Sequence, residues 1–256
     1  MGKNADLIDI AAALNATLSV LPLRERLAVI AHEAGDVLKG SRVLTTSFGL
    51  EDQVLSHFIF AAKLPIDVIT LDTGRLFTQT YDVWAQTEAH YGVRIKAVYP
   101  DALTLEALVT QQGINGFYQS LEARKKCCDV RKTAPLAKAL DGATIWITGL
   151  RADQSANRHD FSLASVDEAR GLIKINPLID HNRDQLVVLA QQHAIPLNAL
   201  HSQGFPSIGC APCTRAVQSG EDERAGRWWW EQDHKKECGL HVASDGRLVR
   251  ALGEKV

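Results

Sequence analysis

Arg42-Val43-Leu44-Thr45-Thr46-Ser47-Phe48-Gly49-Leu50-Glu51-Asp52 sets the architecture. Its first five residues form a short β-rich run. Ser47-Phe48-Gly49 is a turn that hands the chain to a helical stretch from about Glu51 to Lys63. The pattern then repeats. Ile66 to Leu71 is a second strand and Leu76 to Tyr91 a helix; Arg94 to Tyr99 is a third strand. After two helical segments, Thr144 to Thr148 is another. Alternating strands and helices predict an α/β fold, a mainly parallel sheet with helices on both faces. Ligands of such sheets bind beyond the carboxyl ends of the strands. Three strands end there in polar turns: Ser47-Phe48-Gly49, Asp72-Thr73-Gly74-Arg75, and Gly149-Leu150-Arg151 running on to Gln154-Ser155.

Outward from this core the chain changes character. Leu7, Ile8, Ala11, Ala12 and Leu14 recur at helical spacing, and Pro22 opens a second helix expected to reach Leu38. Beyond Ile173, Asn182 and Asp184 introduce a helix through Gln192, and a loop of small residues spans Ser202 to Gly209. Glu221 to Lys236 is polar, carries Trp228, Trp229 and Trp230, and is expected to be helical. The organisation expected is one domain over 1–256, with a core at about 40–215 and a C-terminal arm at about 216–256 whose last residues are flexible. The 256 residues are 46% hydrophobic and 23% charged with a net charge of -2. That is ordinary globular composition without a basic field for nucleic acid. No apolar run is long enough to span a bilayer, and Asp6 and Asp9 interrupt any signal-peptide core, so a cytoplasmic protein with no membrane partner is expected.

The five cysteines carry the chemistry. Cys127 and Cys128 are adjacent, Cys210 and Cys213 form a C-x-x-C, and Cys238 stands apart. In a reducing compartment such thiols bind metal or do catalysis. Four thiolates suit zinc or an iron–sulfur cluster. Adjacent residues on a helix splay by about 100°, which serves two irons of a cube better than two corners of one zinc tetrahedron. The geometry therefore favours a 4Fe–4S cluster. A redox dithiol at Cys210 and Cys213 is the rival, and it leaves the Cys127-Cys128 pair unexplained; buried free cysteine is the plain alternative. Cys238 follows Lys235, Lys236 and Glu237. Cationic neighbours raise a thiol's thiolate fraction, so Cys238 is a candidate nucleophile.

Candidate anion ligands are spread along the chain. Lys132 lies four residues after Cys128 and would share its face on a continuing helix, whereas Arg131 would point elsewhere. Pro135 is expected to break or kink that helix. Arg151 and Arg158 bracket the polar loop, Arg224 and Arg227 would share a face of the tryptophan helix, and His241 lies three residues past Cys238. Ser47 and Gly49 sit where free N–H groups of a helix start can receive a phosphate or sulfate, although Glu51 and Asp52 would repel an anion placed too close. Neither a Walker loop nor G-x-G-x-x-G is present.

Taken together, Thr46 to Asp52, Leu71-Asp72-Thr73-Gly74-Arg75-Leu76, Lys126-Cys127-Cys128 with Arg131-Lys132, and Gly149-Leu150-Arg151 with Gln154-Ser155 resemble the assimilatory adenosine 5′-phosphosulfate (APS) reductases of the thioredoxin-dependent, iron–sulfur type. So do Ile208-Gly209-Cys210 to Arg215, Gly226-Arg227-Trp228-Trp229-Trp230-Glu231, and Lys236-Glu237-Cys238-Gly239-Leu240-His241. The resemblance runs from about Arg42 to His241. It implies a fold like the adenine-nucleotide α-hydrolases. It implies a 4Fe–4S cluster on Cys127, Cys128, Cys210 and Cys213, and attack by Cys238 on the sulfur of APS to leave an S-sulfocysteine. Reduced thioredoxin would then release sulfite. Phosphosulfate would be bound by Lys132, Arg224, Arg227 and His241, and the nucleotide by Ser47, Gly49 and Arg151. The sequence leaves a homo-oligomer open.

Three rivals accompany this reading. The first is use of 3′-phosphorylated APS (PAPS), instead of or as well as APS; the cluster-free PAPS enzymes lack the paired cysteines. The second is a cluster-bearing, ATP-dependent RNA thiolation enzyme, whose S-G-G-x-D-S loop is not matched by Ser47 to Asp52. The third is a redox sensor in which Cys238 is dispensable.

Overall fold

A computed structural model describes residues 2–32, 38–154 and 161–231. Two helices, α1 (Gly2–Ser19) and α2 (Leu23–Ala31), precede a six-stranded sheet. Then follow β1 (Ser41–Thr46), α3 (Leu50–Ala61), β2 (Asp67–Leu71), α4 (Thr78–Tyr91) and β3 (Lys96–Val98). Next come α5 (Ala102–Gln112), α6 (Leu121–Cys128), a π-helical turn at Asp129–Thr133, α7 (Ala134–Ala139) and β4 (Ala143–Ile147). Then β5 (Ala164–Asp167) and β6 (Leu172–Ile175) form a hairpin, followed by α8 (Arg183–Gln192).

The strand order is β3-β2-β1-β4-β6-β5. Every pairing is parallel except β5 with β6. Successive side chains of a strand face opposite sides, and the core follows that period. Leu44, Val68, Ile145 and Ile147 join the larger apolar cluster with α1, α2, α3 and α8. Their neighbours Val43, Ile69 and Trp146 pack with Leu136 and Leu140 on the other face. Leu136 is wholly buried, and truncating such a side chain to alanine costs about 2–5 kcal/mol.

The alternating core was legible in the sequence, and so was α8. There Asn182 and Gln185 form a reciprocal capping box. The β5–β6 hairpin was not expected. Its strands are four residues each, and Lys174 is buried where a charge argues against a core strand; its ammonium lies 4.9 Å from the Trp146 ring centroid. The exposed edge is managed by α1: the Asn15 amide bonds both the N–H and the carbonyl of Ala164, at 2.9 and 2.6 Å. Helix α2 ends at Ala31 rather than running on to Leu38, and residues 33–37 lie outside the description.

Among the described residues, the helix expected from Glu221 to Lys236 does not form over 221–231, and 232–236 lie outside them. Residues 221–231 are turns around one antiparallel bridge, Thr214 to Arg227. Trp228 takes a positive φ of 43° and is completely buried, and a Cβ on Gly226 would run into the Arg215 carbonyl. Close backbone approach and tertiary burial override the polar helical pattern here.

Candidate active site

Strands β1, β2 and β4 end at a cleft of about 230 Å³. Strand order reverses between β1 and β4, which is where open α/β sheets bind ligands. The lining includes Thr46 at the end of β1 with Ser47, Phe48 and Gly49 beyond it, Thr70 and Leu71 of β2 with Thr73 beyond it, and Thr148, Gly149 and Leu150 after β4.

One wall is the turn from β1 into α3. It places Ser47 and Gly49 at the helix start, but an internal anion is already there: the Ser47 N–H and hydroxyl donate to Asp52 Oδ2 at 2.6 and 2.7 Å. Burial pushes the Asp52 carboxyl up to about 6, opposed by those two hydrogen bonds. Gly149 approaches so closely that a Cβ would sit 2.5 Å from Asp52 Oδ1 and 2.8 Å from Glu51 Cβ. Arg151 does not face the cleft. It is fully buried and its guanidinium donates to Glu51 and Glu223, each at 2.8 Å, and to Asp153. Its visible work is to clasp acidic groups from three segments: Glu51 of this wall, Asp153 of the turn after β4, and Glu223 beside the cleft cations.

The opposite wall is cationic. Lys132, Arg224 and Arg227 line the cleft beside Pro206, Ser207, Ile208 and Gly209. Arg227 is buried and lies against Gly209, where any Cβ would overlap its guanidinium. The i, i+3 helical face predicted for Arg224 and Arg227 does not exist, yet the turn brings both into one cleft.

Lys132 and Cys210 also line a second, smaller cavity of about 20 Å³ with Cys127, Cys128 and Cys213. All four thiols thus meet in one place, although helix α6 and the loop at 210–213 are far apart in sequence. Arg75, Arg124, Arg131, Phe117 and Pro212 complete its lining. Among the described residues no group of three or more His, Cys, Asp or Glu is arranged to hold a single metal ion. Burial pushes the Cys127 thiol up, and takes Cys213 up to about 12, so these groups are neutral thiols unless a cationic centre deprotonates them. A purely sulfur donor set ringed by cations fits an anionic metal–thiolate group.

Cys128 and Lys132 are not joined by the regular helix that was expected. The Ala134 N–H bonds the Asp129 carbonyl five residues back, a π-type turn just before Pro135. Nor does Arg131 point away. It is buried, donates to the Thr73 carbonyl at 2.6 Å and hydrogen-bonds Cys127. Arg124 and Glu223 were missed altogether, and Trp228 was noted only within a tryptophan run and motif, without a role. Nothing local distinguishes them from surface charge or a tryptophan run; only the fold carries them inward. Cys238 and His241, and Arg158 with Ser155, lie outside the described residues.

A mainly parallel sheet with its cleft at the switch point and four thiols beside it defines a class, and comparison with known proteins gives it a family. The FMN adenylyltransferase of Candida glabrata shares the fold, at TM-score 0.50 and 12% identity over 84% of this chain and 79% of that one. The phosphoadenylyl-sulfate (PAPS) reductase of Candida auris aligns at TM-score 0.67 and 27% identity, over 81% of this chain and 96% of that one. The phosphoadenosine phosphosulfate reductase domain matches residues 41–216. A protein named adenosine 5′-phosphosulfate reductase from Sinorhizobium fredii is 54% identical over 91% of each chain. The chain belongs to the PAPS/APS reductase family. The mostly parallel sheet expected from the sequence is therefore the fold of that family. No described helix is long and apolar enough to cross a membrane.

Proposed function

We propose that this protein reduces adenosine 5′-phosphosulfate to sulfite and AMP in sulfate assimilation. The observation that carries the reading is the convergence of Lys132, Arg224 and Arg227 on one strand-end cleft next to four cysteines. Relatives named for this reaction support it.

The cations receive the phosphosulfate, and the strand ends hold the nucleotide. The Cys238 thiolate attacks the sulfate sulfur. A sulfur–sulfur bond forms, the sulfur–oxygen bond to phosphate breaks, and AMP leaves with the electron pair. Lys132 and the two arginines stabilise the charge that develops on the departing phosphate, with His241 as a further candidate ligand. Reduced thioredoxin supplies two electrons: one of its thiolates attacks the sulfur of S-sulfonated Cys238 and sulfite leaves. Its second thiol then resolves the mixed disulfide, regenerating Cys238. Cys127, Cys128, Cys210 and Cys213 would hold a 4Fe–4S cluster. When bound, that group supplies a fixed electrostatic centre beside Lys132. A single domain and a cytoplasmic setting with a thioredoxin partner complete the reading.

Mixing the iron-loaded protein with APS in the absence of thioredoxin tests it. One AMP per chain should be released in a burst that stops until thioredoxin is added. Continuous AMP release without thioredoxin, or none at all, would contradict the reading. PAPS is a second substrate candidate, favoured by the likeness to the Candida auris enzyme; the ratio of kcat/KM for the two nucleotides decides between them.

A further inference from the structure

The turn that carries Arg224 and Arg227 is tied down at two places. One tie is to the cysteine loop: the Arg215 N–H bonds the Gly226 carbonyl at 3.0 Å, and the Trp228 N–H bonds the Cys213 carbonyl at 3.1 Å. These two bonds flank Arg227 and fix its backbone. The other tie is Glu223. One of its carboxylate oxygens accepts from Arg151 at 2.8 Å, and the other lies 3.8 Å from the Arg183 guanidinium. Arg183 in turn donates to the carbonyl of Pro206, a residue of the cleft lining, at 3.3 Å. Arg151 is itself firmly held, wholly buried and bound to Glu51 and Asp153. Charge-assisted bonds of this kind fix orientation as well as distance.

Arg224 sits between the two ties. Its backbone N–H donates to Asp222 at 2.7 Å, and its carbonyl accepts from the Arg227 N–H at 2.9 Å. It follows Glu223 directly in the chain. A shift at Glu223 therefore reaches Arg224 through one peptide bond, while Arg227 keeps its own ties to the cysteine loop. We infer that Arg151 and Glu223 are positioning residues for Arg224: their ion pair pins one end of the turn and sets where that cation meets the phosphosulfate. This rests on the function proposed above. The charge of Glu223 acts in the opposite sense. Its side chain lines the cleft, and a carboxylate there repels an anionic ligand. Positioning and charge thus predict changes of opposite sign when the carboxylate is removed.

The test uses the full-length, iron-loaded chain carrying Cys238→Ser, so that APS binds without reacting. APS affinity is measured by calorimetry, with iron and sulfide content alongside. Glu223→Ala removes the tie and leaves Arg151 paired with Glu51 and Asp153. It should weaken APS binding about tenfold, with iron content unchanged. Glu223→Gln, which keeps an acceptor for Arg151, should fall between. In an Arg224→Ala background Glu223→Ala should cost less than about twofold, and in an Arg227→Ala background about tenfold again. Binding by Glu223→Ala as tight as the parent's, or tighter as loss of a repelling charge alone predicts, overturns the inference. So does an equal cost in the two backgrounds, or a loss of affinity that follows loss of iron. Should Glu223→Ala fail to fold, Glu223→Gln and Arg151→Lys decide by the same comparison of backgrounds. Absence of APS binding by the Cys238→Ser parent would instead refute the function.

Discussion

The two walls of the cleft are built by opposite rules. The β1–α3 wall is regular: a parallel strand ends, a turn follows and a helix begins. The Ser47 N–H and hydroxyl there are occupied by the chain's own Asp52, and Glu51 is clasped by Arg151. The facing wall is irregular, made from a π-type turn, the 206–213 loop and the turns at 223–230, and it presents Lys132, Arg224 and Arg227. Regular structure thus frames the cleft without supplying its cations. The cations are hung on a wall that closes around four cysteines and Trp228. One wall limits where an anion sits; the other attracts it.

That division makes unequal predictions. Lys132→Ala removes a charge shared by the cleft and the cysteine cavity. It should slow S-sulfonation by about 10²–10³, with iron content retained; an unchanged rate in a single-turnover assay would remove Lys132 from the chemistry. Gly209→Ala is milder. The new methyl meets the far end of the Arg227 side chain, so the guanidinium should swing aside rather than the fold collapse. About a tenfold loss of APS affinity, with an unchanged thermal midpoint, is expected by calorimetry, because a charged hydrogen bond is worth about 1.5–3 kcal/mol.

On the acidic wall the effects should appear in stability. Gly149→Ala drives a methyl against Glu51 Cβ, close to the helix backbone, and should cost about 1–3 kcal/mol in urea unfolding. The smallest effect concerns Asp52. Its carboxyl is raised from 3.8 to about 6 by burial. Between those values the folded chain holds a proton that the unfolded chain has released. Asp52 therefore lowers stability as pH rises through about 4 to 6, and the loss persists above that window. Asp52→Asn should flatten this slope in urea midpoints measured from pH 4 to pH 8. Parallel slopes in the two proteins would contradict the pKa.

The same contrast explains how much was legible in the sequence. Hydrophobic period and turn residues report on regular elements, so β1 to β4, their helices and the strand-end cleft were readable. The four cysteines stood out as well, because cysteine is scarce and its spacing is informative, and the structure brings them to one cavity. The turns at 221–231 were not readable. Their polar composition reads as helix, while the burial of Trp228 and the close approach at Gly226 depend on partners distant in sequence. Arg131 was read outward for a related reason: the π-type turn shifts every side chain after Cys128, and no residue count shows that. Arg151 carries a charge suited to phosphate, yet the fold gives it three carboxylates instead.

Four thiols gathered beside the cationic wall, and a fifth proposed to react, can be told apart by peptide mass spectrometry. The iron-loaded protein and its Cys238→Ser variant are each mixed with APS, without thioredoxin, and digested. The parent should carry one sulfonate, on the peptide containing Cys238, and the variant none, with equal iron in both. A sulfonate on Cys127, Cys128, Cys210 or Cys213, or sulfite production by Cys238→Ser at the parent rate, would contradict that division.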